Sequence, residues 1–118
     1  MRVKSHNKKV YKKYPITESQ KEVIKEVSSH MCLDEKTFMG ASRVRHIVMA
    51  RNMAWYIFRE YLGTTVTETA RIFGKDHTTI IHGIKSFKND MQTSDTYYEH
   101  YYAIKKNLLQ KDIISIQY

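Results

Sequence analysis

Between Gly74 and Lys85 the chain reads Gly-Lys-Asp-His-Thr-Thr-Ile-Ile-His-Gly-Ile-Lys, setting a carboxylate, two imidazoles, two hydroxyls and two ammonium groups within a few turns. On a helix, Ile80, Ile84, Phe87 and Met91 share an apolar seam, while Thr78, His82, Lys85, Ser86 and Asn89 cluster on the other side. A solvated helix face normally carries Glu and Lys. Hydroxyls, an imidazole and an amide are instead groups that hydrogen-bond base edges and phosphate oxygens. Catalysis is a poor match. Asp76, His77 and Ser86 are triad-type residues, but adjacent Asp and His on a first helical turn diverge, and no nucleophile elbow is present. A metal is equally badly served, because His77 and His82 lack i, i+4 spacing and His30 with Cys32 lacks a second ligand pair. The residues point to a binding protein, with no enzyme activity, no cofactor and no metal.

The elements that must position these groups lie just upstream. Thr65-Val66-Thr67-Glu68 is a capping box, with Thr65 as N-cap and Glu68 at N3, and Val66, Ala70 and Phe73 follow as an apolar stripe. That short helix stops at Gly74, which takes positive φ without steric penalty, and Asp76 caps the next helix. Short helix, glycine turn and second helix make a helix-turn-helix, whose second helix, over 76–91, is expected in a major groove.

The rest of the chain fits an all-α domain. One proline and four glycines in 118 residues rich in helix formers, without sustained period-2 alternation, exclude a sheet protein. A net charge of +8 favours a polyanionic partner. A single cysteine and the lack of any long apolar run lead to the expectation of a cytoplasmic protein. Residues 1–15 form a basic arm without an acid, either a solvated tail or a source of phosphate contacts. Thr17-Glu18-Ser19-Gln20 is a second capping box, opening a helix that turns Val23, Ile24, Val27 and Met31 inward. A helical turn over Asp34 to Met39 precedes the loop Gly40-Ala41-Ser42-Arg43-Val44-Arg45, and a helix from about Ile47 to Tyr61 follows. On that helix Arg51, Trp55 and Arg59 recur at i, i+4, i+8, which by spacing alone reads as a surface ladder. Asn89 to Asp95 reads as a polar break before a last helix over Thr96 to Leu109. The wide tyrosine face of this helix either packs on the domain or meets a partner or a second copy.

Phe73-Gly74-Lys75-Asp76-His77-Thr78-Thr79-Ile80-Ile81-His82-Gly83 resembles the signature of the C-terminal DNA-binding domain of DnaA, the bacterial replication initiator, roughly Phe-Gly-Gly-Arg-Asp-His-Thr-Thr-Val-Leu-His-Ala. The similarity runs from about Glu18 to Met91. Met49-Ala50-Arg51-Asn52-Met53-Ala54 and Arg59-Glu60-Tyr61 fall in register with the family's Arg-Pro-Arg-Gln-Met-Ala and Lys-Glu-Leu-like segments. The resemblance implies a helix-turn-helix domain over 16–92, followed at 93–118 by an additional C-terminal helix and tail. It implies that Arg43 enters the minor groove of an A·T-rich stretch. Asp76, His77 and Thr78 would read base edges in the major groove, with Val66 or Thr67 near a thymine methyl. Arg51, Asn52, Arg59, Lys75 and Thr79 would hold phosphates, and Arg45, Thr65, His82 and Lys85 are expected there too.

Four departures stand out. The family's double glycine is single, its arginine before Asp-His is Lys75, its first arginine of Arg-Pro-Arg is Met49, and its alanine after His82 is Gly83. Lysine keeps the charge of arginine but loses the bidentate fork. A mid-helix glycine costs about 1 kcal/mol against alanine, a cost that a close approach of the backbone to DNA would explain. No Gly-x-x-x-x-Gly-Lys-Thr/Ser stretch is present, so the expectation is a stand-alone reader without an ATPase module. It would bind a specific double-stranded site, with a box resembling TTATCCACA, as a phage or mobile-element replication or transcription factor or as a competitor for initiator sites. The competing expectation is non-specific binding of single strands or RNA through the arm and the tyrosines.

Overall fold

Four of the helices among the described residues begin where a side chain, of Thr17, Thr65, Asp76 or Ser94, satisfies an orphan amide of the first turn. Thr17 Oγ1 accepts from Gln20 N at 3.1 Å, and Gln20 Oε1 accepts from Thr17 N at 2.9 Å. Thr65 and Glu68 close the second box in the same way. Asp76 accepts from Thr79 N at 2.9 Å, so all three caps read from the sequence are in place. The computed structural model describes residues 15–116, and the basic arm up to residue 14 lies outside the described residues. Among these, the order is α1 (Glu18–His30), α2 (Glu35–Met39), α3 (Arg45–Tyr61), α4 (Val66–Phe73), α5 (His77–Thr93) and α6 (Asp95–Gln110), with no strand. The fold is all-α.

Two boundaries differ from the sequence reading, for local reasons. Val44 has extended backbone and its carbonyl accepts from Ile47 N and Val48 N, so α3 starts at Arg45 rather than near Ile47. The stretch Asn89 to Asp95 is not a break, because its polar residues lie on the outer face of a continuing helix. Only Ser94 leaves the helical conformation, ending α5 and capping α6 by accepting from Tyr97 N. A domain limit at 92 therefore falls in the last turn of α5.

α3 is the central strut. Ala50, Met53, Ala54, Ile57 and Phe58 are buried in one cluster with Val23, Ile24 and Val27 of α1 and Ile80 and Phe87 of α5, and Ile104 and Leu108 of α6 join it from a helix packed on α1 and α5. The aromatic rings form two groups. Phe73 meets Phe38, Trp55 and Phe58 edge-on at centroid distances of 5.7–5.9 Å, and Phe87 stacks on Tyr56 at 4.6 Å with Tyr97 and Tyr101 at its edges. Each such ring, fully buried, contributes about 1.5–3 kcal/mol. Tyr97 and Tyr101 of α6 thus belong to the common core, and burial pushes both phenols above the ordinary tyrosine range. The buried polar pair Gln20 and Thr64 is satisfied internally, by a 3.0 Å bond from Gln20 Nε2 to Thr64 Oγ1.

Candidate nucleic-acid interface

The turn between α4 and α5 is built as the sequence suggests. Gly74 sits at φ 66° and ψ 38°, the left-handed conformation that ends a helix, and Lys75 N donates to Ala70 O at 2.9 Å. α5 then opens with His77, Thr78 and Thr79 exposed. Thr67 Oγ1 lies 3.2 Å from His77 Nε2, so a hydrogen bond ties the two helices at the start of α5. Backbone and side-chain hydrogen bonds from Thr79 hold the Asp76 carboxyl below the usual carboxylate range, so it caps the helix as an anion. Asp76 and His77 bond Thr79 and Thr67, not each other, in line with the divergence expected of adjacent residues.

Beside this helix-turn-helix lies a cleft of about 460 Å³. Its walls are the loop Ala41-Ser42-Arg43, the α3 residues Val48, Arg51, Asn52 and Trp55, Lys75 of the turn, and Thr79, His82, Gly83 and Ser86 of α5. Three cations line it and no carboxylate does. Burial first, then the charges of Arg51 and Arg43, depress the Lys75 ammonium below its ordinary value. A cleft with unopposed positive charge suits a polyanion.

The positions named from the sequence fall into three groups. Arg43, Arg45, Arg59, Thr65, Thr67, Asp76, His77, Thr78, Thr79, His82 and Lys85 are exposed. Arg45 Nη2 stands 3.8 Å from Asp90 Oδ1 with most of its side chain in solvent, and Arg59 Nη1 donates to Thr64 O at 3.3 Å. Val66 and Lys75 are half-buried. Arg51 and Asn52, by contrast, are buried, at 4% and 5% exposure. The spacing of Arg51, Trp55 and Arg59 therefore does not make a surface ladder, because Arg51 and Trp55 are covered by segments distant in sequence, including Phe38, Phe73 and the 37–42 segment. Gly83 also receives a different explanation. A Cβ there would stand 2.5 Å from Trp55 Cε3 and Cζ3 and from Asn52 Oδ1, so its absence lets α5 close on the indole of α3.

Sequence reasoning passed over Ile81 and Val44, which are exposed at 51% and 59%. Ile81 follows His77 by one helical turn and so extends the exposed face that opens with His77 and Thr78. The available signal was an apolar residue off the Ile80-Ile84-Phe87 seam.

Residues 20–86 match the family model for the bacterial dnaA protein helix-turn-helix. The chain belongs to the bacterial DnaA helix-turn-helix family. It is similar to the chromosomal replication initiator protein DnaA of Herpetosiphon aurantiacus, 33% identical over 63% of this chain and 16% of that protein. It is likewise similar to the DnaA proteins of Deinococcus deserti, 33% identical over 53% of the chain and 14% of the relative, and Thermomicrobium roseum, 29% identical over 75% and 19%. The chain thus spans less than a fifth of the length of these relatives. This homology to the DnaA helix-turn-helix supports DNA binding, with double-stranded DNA as the partner it points to. Among the described residues no helix is long and apolar enough to cross a membrane, and no group of three or more His, Cys, Asp or Glu could hold a metal ion.

Proposed function

We propose that this chain reads a specific double-stranded site related to the boxes of the DnaA initiator. The observation that carries this is the capped, glycine-turned start of α5. It presents His77 and Thr78 outward, fixed to α4 through Thr67, beside an acid-free cationic cleft. In this reading α5 lies in the major groove, where Asp76 accepts from a cytosine amino group, His77 hydrogen-bonds a base edge, and Thr78 offers a hydroxyl and a methyl. Val66 and Thr67 approach a thymine methyl. Arg43 reaches the adjacent narrow minor groove, whose negative potential favours a guanidinium. Arg45, Arg59, Thr65, Thr79, His82 and Lys85 fix the register on phosphates.

The biological setting that follows is a phage or mobile-element replication or transcription factor, or a competitor for initiator sites, acting in the cytoplasm. The relatives carry the name of chromosomal replication initiators, and a box resembling TTATCCACA is the site this chain would read. A second reading, non-specific binding of single strands or RNA, has one observation in its favour. Tyr98 and Tyr102 of α6 are exposed and stacked on each other at 6.4 Å, a surface on which bases could also stack.

Selection of the purified protein on randomised duplex at near-physiological salt, then titration of the winner against scrambled duplex, separates the two readings. A single enriched motif with TTAT and CACA character is the expected result. No enrichment, with equal binding to duplex and single strands, would sink the first reading.

A further inference from the structure

We infer that Arg51 and Lys75 are positioning residues that lock the Arg43 loop in place by holding its backbone carbonyls, rather than ligands of DNA phosphates. α2 is a five-residue helix whose last carbonyls have no partner within it. The chain then runs through Gly40 and Ser42 to Arg43 without a regular element to fix it. Arg51 reaches into this stretch from α3. Its Nε donates to Phe38 O at 2.7 Å, Nη1 to Ser42 O at 2.6 Å and Nη2 to Thr37 O at 3.3 Å. Lys75, on the turn of the helix-turn-helix, donates from Nζ to Gly40 O at 3.1 Å. Four carbonyls of one short segment are thus held by two cations from two other elements.

The geometry favours this role on three counts. A planar guanidinium has donors enough to serve three carbonyls at once, and a cation at the end of a helix meets the negative pole of its peptide dipoles. Arg51 is almost wholly buried and each of its three guanidinium nitrogens already donates to a carbonyl, so three of its five N–H donors are engaged and little of the group is left open to a phosphate. Desolvation disfavours its charge, and that penalty recurs in every copy of the fold whether DNA is present or not. What the arrangement supplies is rigidity between two reading elements. Lys75 is the residue before Asp76 and His77, so its bond to Gly40 couples the start of α5 to the loop that carries Arg43. The minor-groove arginine and the major-groove helix are then one preorganised unit, ordered before DNA arrives.

Two variants test this, first without DNA. Arg51→Lys keeps the positive charge but can reach only one of the three carbonyls, and Lys75→Met removes the bond to Gly40 at a half-exposed site where unfolding is not at stake. In the free protein both should raise amide exchange at Phe38, Gly40 and Val44 while leaving α6 protected. Unchanged exchange at those amides in Lys75→Met would overturn the brace.

The second arm rests on the DNA reading proposed above and uses a duplex carrying TTATCCACA, a scrambled duplex of the same composition, and a cycle with Arg43→Ala. Lys75→Met should lower box affinity on the order of tenfold when Arg43 is present and by less than about twofold when it is alanine, because contacts acting as a unit are not additive. In the Arg43→Ala background the salt slope should not change. Equal losses in both backgrounds, with the slope falling by about 0.9 as for a lost phosphate contact, would make Lys75 a phosphate ligand. If the unsubstituted protein fails to distinguish the box from the scrambled duplex, the specific reading falls, and amide exchange still decides the brace.

Discussion

α5 and α3 are bordered on one side by the cleft and on the other by α6, and the two borders handle charge in opposite ways. At the cleft, Arg43, Arg51 and Lys75 converge with no carboxylate among them, and the polar groups of Thr78, Thr79 and His82 face outward. Around α6, Asn107 Nδ2 and, just past the helix end, Lys111 Nζ both donate to the Glu26 carboxylate of α1, at 2.9 and 3.1 Å, and Tyr97 gives its hydroxyl to Met49 O of α3. Charge is paired where the chain only has to hold itself together. It is left unopposed, or spent on backbone carbonyls, along the cleft.

The sharpest way to break this contrast is at the reading head. His77→Ala or Thr78→Ala is expected to cost about 1–3 kcal/mol of binding on the preferred duplex and almost nothing on scrambled DNA, with the melting temperature unchanged. Equal losses on both duplexes, measured by titration at one salt concentration, would remove the case for base readout. Next in size is Gly83→Ala, which lies under the cleft. Crowding against Trp55 costs about 1–3 kcal/mol and the better helix propensity of alanine returns about 1, so chemical unfolding should show a net loss of roughly 1 kcal/mol. A gain in stability would mean that the indole simply moves aside.

On the opposite border, Glu26→Gln should lower unfolding stability by about 1 kcal/mol or less and leave DNA affinity untouched, because its partner Lys111 is more than half exposed. A loss of DNA binding there would blur the distinction between the two sides. Smallest is the effect of acid on the cap of α5. The Asp76 carboxyl titrates below its unfolded value, so its contribution is fully present above the ordinary carboxylate range and fades only as the pH falls through the depressed folded value. Helicity of the α5 N-terminus, followed by the amide signal of Thr79 across an acid titration, should therefore be constant from neutral pH down to that range. Loss already near neutrality would show that another group holds the turn.

What the sequence discloses is what neighbours along the chain decide. The boxes at Thr17 and Thr65, the stop at Gly74 and the cap at Asp76 depend on residues within one turn, and all are found as read. The apolar seam of α5 is legible for the same reason, since its period belongs to a single helix. Arg51 and Trp55 are not, because a helical wheel shows which residues share a face but not which distant segment covers it. The 37–42 segment and Phe73 convert an apparent surface stripe into a buried brace and a ring cluster. Gly83 was opaque in the same way, its reason lying on another helix. The polar residues of 89–93 misled through composition, since a solvated helix face and a loop draw on the same side chains.

Trp55 is the one tryptophan of the sequence. Its indole is 3% exposed, forms part of the cleft wall and packs against α5 at Gly83. The molecule thus carries its own fluorophore at the junction of the two helices that would have to shift if DNA altered their packing. Emission from this single site reports on that junction alone, without a label and without interference from a second indole.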